Sequence, residues 1–215
     1  MKKSIFLAIL IVLIICAVVF GTTFSFFNAS TRNNNIVGST YNANFGVEVY
    51  EIKKSSSLMP VKDDLITTLI SKSSNQCMDN DGQEVCSLYK LDVVNNGLPL
   101  DLHGFIRTSN STYTSDNLKF MIYTKNGNVY TPITDIITIT HNSGDTMYFK
   151  KNSSTYITNI GDGTTSPQTI SYYVVFWISE IEASQNEDQG KSYNCIMGFE
   201  SIHGDKLTSS FVISA

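Results

Sequence analysis

The chain has 215 residues, a formal net charge of −4 and 42% hydrophobic residues. This mild negative charge provides no basic surface for nucleic acid, so we expect no nucleic-acid partner. The length allows one domain with a substantial core, and the many Tyr, Thr, Val, Ile and Phe residues favour β structure.

The N-terminus has the three parts of an export signal. Lys2 and Lys3 precede an uncharged apolar run over residues 5–20, after which the chain passes through small residues and becomes polar. A basic start, an apolar middle and a small-residue exit are typical of secretory signals. We therefore expect the rest of the chain to fold outside the cytoplasm, either secreted or at the cell surface.

The signal has two alternative fates. Residues 23–25 (TFS) fit the small-x-small rule, which predicts cleavage between Ser25 and Phe26, and residues 19–21 (VFG) fit the rule more weakly. However, the apolar stretch extended to Phe27 would form a helix of about 34 Å at 1.5 Å per residue, which is long enough to cross a bilayer. The alternative to cleavage is therefore a retained membrane anchor.

The segment after the signal is a candidate donor strand. Its few apolar residues, Phe26, Phe27, Ile36 and Val37, lie among Asn, Ser and Thr and have no evident core partner. An extended segment of this kind can add to an open sheet edge of a neighbouring subunit, and a disordered tether is the alternative. The predicted organisation is a signal peptide or membrane anchor (1–25), a flexible leader (26–40) and a β-sandwich domain (41–215).

Short strand patterns and turn signals follow one another along the rest of the chain. The predicted strands are 41–52, 87–95, 98–107, 118–124, 129–133, 136–140, 147–149, 155–160, 169–181, 191–202 and 206–213. Asn126-Gly127 is a strong hairpin dipeptide between two of them. Residues 63–71 have helical spacing and are compatible with a short helix or an irregular segment. Many short strands with almost no helix predict an antiparallel, all-β sandwich.

The most continuous β pattern is residues 169–181, which contains the only tryptophan. Its apolar residues occupy successive positions from Val174 to Trp177, so both faces of the strand are apolar. We therefore predict a central strand, with Trp177 buried in the sandwich core.

Cys77 and Cys86 flank Asp81-Gly82, the dipeptide favoured in two-residue type I′ turns. Such a turn places Cys77 directly opposite Cys86 and Met78 opposite Val85. The cysteines then occupy a non-hydrogen-bonded pair with Cα atoms about 4.5 Å apart, a separation that a disulfide accepts. We predict this disulfide in the exported protein, with two unpaired thiols as the alternative.

No catalytic or metal motif is evident. His103, His141 and His203 are widely separated, and the sequence lacks the His-Glu-x-x-His pattern, a nucleophile elbow and a phosphate loop. We therefore predict a protein with no catalytic residues, no metal and no cofactor.

Two smaller features have alternative explanations. The carboxylates of Glu180, Glu182, Glu187 and Asp188 form either a solvated hairpin or a weak calcium site. Cys195 is predicted to be a buried free thiol, and an intermolecular disulfide is the alternative.

Three stretches resemble the TasA- and camelysin-like exported biofilm-matrix proteins of Gram-positive bacteria. They are the signal junction at 21–28 (GTTFSFFN), the strand at 89–97 (YKLDVVNNG), and residues 176–180 (FWISE) followed by 188–193 (DQGKSY). The sequence departs from the family pattern after the junction, where Ala29 replaces the usual acidic residue and Phe26 is bulky.

The resemblance implies a jelly-roll subunit that polymerises by lending its N-terminal segment as a strand to the next molecule. It also implies partners: further copies of the chain, a dedicated signal peptidase and other matrix proteins. The expected function is a non-enzymatic structural subunit of surface fibres or matrix. The alternative is an extracytoplasmic hydrolase or ligand-binding domain held at the membrane by an uncleaved helix.

Overall fold

The computed structural model describes residues 36–41, 45–55, 57–95, 101–151, 168–182, 185, 187, 189–201 and 206–214. The signal segment, the cleavage site between Ser25 and Phe26, and the predicted strand at 155–160 lie outside these residues. The leader was predicted to extend to residue 40, but its last residues, from Ile36, belong to a strand.

Strands dominate the described residues. They are β1 (Ile36–Tyr41), β2 (Phe45–Lys53), β3 (Cys86–Asn95), β4 (Leu102–Ser111), β5 (Leu118–Asn126), β6 (Val129–Pro132), β7 (Ile137–Thr138), β8 (Thr146–Tyr148), β9 (Gln168–Ile178), β10 (Ser192–Ser201) and β11 (Lys206–Ser214). A short 3-10 turn (Asp63–Leu65) leads into the helix α1 (Ile66–Ile70), so the segment left open by the sequence is helical.

The strands form two antiparallel sheets. The first has the order β1-β2-β3-β9-β5-β6, with β7 also paired to β5, and the second has the order β11-β10-β4-β8. The all-β sandwich is thus confirmed, and β9 is a central strand as predicted. Within this class, β2-β3-β9-β5 and β11-β10-β4 follow the ABED and GFC orders of a constant-type immunoglobulin sandwich. The described strand order therefore differs from the predicted jelly roll.

The main core lies between the two sheets. Alternate residues of β2 and β3, including Val47, Val49 and Leu91, are fully buried and belong to one apolar cluster with Ile106 and Met197 of the second sheet. Period-two alternation explains this cluster, because successive side chains of a strand point to opposite faces.

Gly104 lies where the core tolerates no side chain. A Cβ atom at this position would be 2.2 Å from Cδ2 of Phe149 and 2.9 Å from the ring of Phe199. Both rings are buried and pack edge to face with centroids 5.8 Å apart. The missing side chain of Gly104 therefore makes room for this aromatic pair.

We expect Gly104→Ala to lower the free energy of unfolding by about 1–3 kcal/mol, because the added methyl group overpacks the core. Chemical unfolding measures the loss. Phe149→Leu should relieve the clash, so the double variant should be less destabilised than the sum of the single variants. Strictly additive effects would show that the methyl group does not meet Phe149.

A second apolar cluster covers the outer face of the first sheet. Residues 57–78, which we call the flap, contain α1, and Ile66, Leu69 and Ile70 of this helix are buried. They form one cluster with Val175 and Trp177 of β9. Trp177 is fully buried as predicted, but it lies beneath the flap and not between the two sheets.

Asp63 of the flap forms hydrogen bonds with side chains of the first sheet. Its carboxylate accepts hydrogen bonds from the Trp177 indole Nε1 at 2.8 Å and from Lys119 Nζ at 2.8 Å. Lys119 also donates to the Ser179 hydroxyl oxygen at 3.0 Å. Burial alone would raise the pKa of Asp63, but the hydrogen bonds from Lys119, Trp177 and Ser179 outweigh it and lower the pKa.

A lowered pKa means that ionised Asp63 stabilises the fold above its unfolded pKa of about 3.9. This contribution should be lost as the pH falls through the folded pKa. We therefore expect Asp63→Asn to destabilise the protein near pH 7 and to have progressively less effect as the solution becomes acidic. Unfolding measured over a pH series tests this, with Asp64→Asn at the exposed neighbouring position as control. A constant difference between Asp63→Asn and the wild type would contradict it.

The structure contains the Cys77–Cys86 disulfide, with Cα atoms 4.8 Å apart. The predicted register of its hairpin is wrong by one residue, because Met78 pairs with Glu84 and not with Val85. The Asp79 carboxylate accepts the N–H groups of Asp81 at 2.9 Å and Gln83 at 2.8 Å. This side-chain capping replaces the two-residue turn with a longer one, and the disulfide joins offset positions.

The β5–β6 hairpin shows a similar shift. Asn126 pairs with Val129, so its turn consists of Gly127 and Asn128, one residue later than predicted. Gly127 has a φ angle of +57°, the left-handed conformation that such turns require at their first position.

Candidate assembly site at the sheet edge

The side of the sandwich formed by β1 and β11 has the longest edge strands among the described residues, with six and nine residues. Among the described strands, β1 pairs with β2 alone, lies against β11 and ends the first sheet, while β11 ends the second. At the opposite ends, β6 has four residues, including Pro132, and β8 has three. Short strands and proline discourage strand addition, so the β1 and β11 side is the better candidate for pairing with another chain.

β1 contains two of the four predicted strand-donation residues, Ile36 and Val37. Phe26 and Phe27 lie outside the described residues. Ile36 pairs with Tyr50, and the register shifts between Ile36 and Gly38 before continuing to Tyr41. Part of the predicted donor segment therefore already pairs with β2 of its own chain.

A polar ladder lies on the outer face of the first sheet beside β1. Glu48 of β2 is directly opposite Asp92 of β3, which is directly opposite Ser171 of β9. Asp92 accepts hydrogen bonds from Ser171 at 2.6 Å and from Lys90 at 2.7 Å. These contacts offset the repulsion between two facing carboxylates, which would otherwise destabilise the strand pair.

Tyr50 connects this ladder to the sheet edge. Its hydroxyl donates to Glu48 Oε2 at 2.5 Å, and Lys90 Nζ lies 5.1 Å from the centre of its ring. Burial and the adjacent Glu48 carboxylate raise the pKa of Tyr50, so the hydroxyl stays protonated and remains a donor. The alternation of Glu48 and Tyr50 is visible in the sequence, but their partners on β3 required the strand register.

The described histidines have separate partners. The His141 ring stacks on Tyr113 and bonds to the Ser115 carbonyl oxygen, while His103 packs against Tyr148. His203 lies outside the described residues. Within those residues, no group of three or more His, Cys, Asp or Glu is placed to hold a metal ion.

The structure also places the predicted free thiol and three of the four carboxylates of the candidate calcium site. Cys195 is a buried free thiol in the inter-sheet cluster, and burial raises its pKa well above the usual range. Glu180, Glu182 and Glu187 are exposed, and Asp188 lies outside the described residues. No helix among the described residues is long and apolar enough to cross a membrane.

Comparisons with known proteins do not identify a family. No family model matches the sequence, and no curated protein matches it. A DUF4466 family protein from Parabacteroides merdae is 9% identical with a TM-score of 0.36, over 78% of this chain and 43% of that protein. This chain therefore aligns with less than half of that protein's length.

Two further solved structures are similar at the same low level. AvmM, which catalyses macrocyclization in alchivemycin A biosynthesis, is 11% identical with a TM-score of 0.34, over 81% of this chain and 90% of that one. The collagen-binding subdomain ACE19 of the Enterococcus faecalis surface protein ACE is 11% identical with a TM-score of 0.23, over 62% and 88%. These scores carry no argument about function, and none of the three proteins is described as TasA-like.

Proposed function

We propose that this chain is an exported structural subunit of surface fibres or biofilm matrix that assembles by exchange of its N-terminal strand. The observation that carries the proposal is the position of β1. Among the described strands it is the outermost of its sheet and pairs with β2 alone, and three residues separate the two strands in the sequence. An identical β1 from a neighbouring copy could make the same backbone hydrogen bonds, as in other strand-exchange assemblies.

β2 belongs to the core, so its backbone edge is expected to remain paired with another strand. Val47 and Val49 of β2 are fully buried, so loss of β1 would leave the edge of a core strand unpaired. An unpaired strand edge is a template for pairing with another chain.

Other observations support export. The Cys77–Cys86 disulfide fits an oxidising, extracellular environment. The N-terminal signal pattern and the resemblance to the TasA- and camelysin-like family point the same way, and they add a signal peptidase and other matrix proteins as proposed partners. In this proposal, the protein is not an enzyme.

A reversible covalent lock on β1 tests the proposal. Ser39 of β1 is directly opposite Glu48 of β2, so Ser39→Cys with Glu48→Cys places two cysteines on paired positions. We expect the oxidised double variant to remain monomeric under conditions in which the wild type forms filaments. Mild reduction should restore assembly, because it frees β1. Electron microscopy and light scattering measure filament formation.

The two single-cysteine variants are the matched controls and should assemble. Filaments from the fully locked variant would exclude exchange of β1. A wild-type protein that stays monodisperse under all conditions would overturn the fibre function and favour the alternative of an anchored hydrolase or ligand-binding domain.

A further inference from the structure

A cleft of about 370 Å³ opens at the end of the sandwich where β9 ends. Its lining includes Leu58 and Ile178, which are both members of the inter-sheet core. Met59 and Ile181 also line it, and their side chains are 43% and 42% exposed. A concave site of this size, with both apolar and polar lining residues, is large enough to bind a small ligand or one or two side chains.

The walls of this end cleft are held by backbone hydrogen bonds. Val61 N–H donates to the Ile178 carbonyl oxygen at 2.9 Å, and Glu180 N–H donates to the Val61 carbonyl oxygen at 2.9 Å. The Gln185 side chain donates to the Ser179 carbonyl oxygen at 2.8 Å and accepts the Ile181 N–H at 3.1 Å. These contacts fix the flap beside the end of β9, so both sides of the cleft are tied together.

Its charge defines the chemistry of a ligand. Glu180 lines the cleft and is exposed, and no described residue forms a salt bridge with it. Gln185 and Gln189 add amide groups, and no Lys or Arg is among the lining residues. An apolar floor beside a carboxylate suits a ligand with an apolar side chain next to a positive charge.

The processed N-terminus of this chain has that chemistry. Cleavage between Ser25 and Phe26 would create an α-ammonium group on Phe26, followed at once by Phe27. The segment also has the right direction. β1 runs antiparallel to β2 and begins at Ile36 opposite Tyr50, so its N-terminal end faces the Lys53 end of β2, where β9 reaches Ile178.

The required distance is within reach. In the strand registers, Tyr50, Lys90 and Tyr173 form one row across the sheet, and Ile178 is five residues further along β9. At about 3.3 Å per residue and 4.8 Å per strand, the start of β1 is roughly 22 Å from Ile178. The ten residues from Phe26 to the start of β1 span up to about 33 Å when extended.

We propose that the end cleft binds Phe26 and Phe27 at the processed N-terminus of the same chain. The inference rests on the proposed cleavage before Phe26. Its consequence for assembly is regulatory: a docked N-terminus holds β1 in place on its own β2, and release of the N-terminus frees β1 for exchange.

Methionine methyl groups can report this docking. The processed chain, beginning at Phe26, retains five methionines: Met59 lines the cleft, and Met78, Met121, Met147 and Met197 lie outside its lining. In the 13C-methyl NMR spectrum of this chain, we expect Phe26→Ser with Phe27→Ser to displace the Met59 signal, because aromatic rings leave its surroundings. The Met121 and Met147 signals should not move. Glu180→Gln should move the Met59 signal part of the way towards its position in the double serine variant. Glu187 lies outside the lining, so Glu187→Gln should leave the Met59 signal unchanged.

Each outcome decides the inference. A Met59 signal unaffected by loss of both phenylalanines would overturn it. A wild-type Met59 signal that changes with protein concentration would assign the cleft to a neighbour's N-terminus and overturn same-chain docking. Filament assays on the same samples distinguish the two proposals. Filaments together with a Met59 signal that does not respond to loss of both phenylalanines would support the fibre proposal alone. A Met59 signal that does respond, in a protein that forms no filaments, would support the docking alone.

Discussion

Replacing Trp177 with alanine should lower the free energy of unfolding by about 3–5 kcal/mol, the usual cost of removing a large buried aromatic side chain. The indole is fully buried between β9 and the flap, in a cluster with Ile66 and Ile70. Its Nε1 also donates to the Asp63 carboxylate. The alanine variant therefore loses both the packing against the flap and this hydrogen bond.

Urea unfolding followed by far-UV circular dichroism measures this loss, because the fluorescence of the only tryptophan disappears with the substitution. Trp177→Phe is the matched control. It keeps a ring in the cluster but deprives Asp63 of one hydrogen bond, so a smaller loss of about 1–3 kcal/mol is expected. A loss below about 1 kcal/mol for Trp177→Ala would contradict the burial of this residue beneath the flap.

Removal of the disulfide, by Cys77→Ala with Cys86→Ala, should lower the free energy of unfolding by about 2–4 kcal/mol. The bridge joins residues nine positions apart and restricts the unfolded chain over this loop. Both cysteines are fully buried in the cluster that contains Trp177, so the substitution also removes packing beneath the flap.

Equilibrium unfolding with and without reductant measures the effect, because the bridge becomes accessible when the chain unfolds. Reductant should destabilise the wild type and have no effect on the double variant. Cys195→Ala leaves the bridge intact and should retain the wild-type response to reductant. A mass spectrum of a non-reduced digest should show Cys77 and Cys86 linked, and free thiols at both positions would contradict the structure.

Local patterns were sufficient to predict most strands and one covalent contact. Alternation identified β2 and β3 to within a few residues, and the apolar run from Val174 to Trp177 indicated a central strand with two buried faces. The nearness of Cys77 and Cys86 also followed from turn chemistry. Its detailed register did not, since the carboxylate of Asp79 capped two backbone N–H groups and lengthened the turn.

The candidate assembly edge was only partly predictable. The apolar residues of the leader suggested strand pairing, but not that Ile36 and Val37 lie in a strand paired with β2 of the same chain. The contacts between Glu48, Asp92 and Ser171 join three strands that are far apart in the sequence. No local pattern specifies which distant strands become neighbours, because backbone hydrogen bonds form between strands of almost any sequence.

The sequence by itself determined the elements of this protein: a chain of short strands with two-residue periodicity, turns at glycine-containing dipeptides, and two cysteines close enough to pair. The tertiary structure decided the order of the strands in each sheet. It also decided which apolar side chains lie between the two sheets and which lie beneath the flap. Trp177 illustrates the division. Its burial follows from a strand that is apolar on both faces, whereas its place beneath the flap depends on Asp63 and α1, which pack against it from more than a hundred residues away in the chain. Periodicity reports that a side chain is buried, but only long-range packing selects its partners.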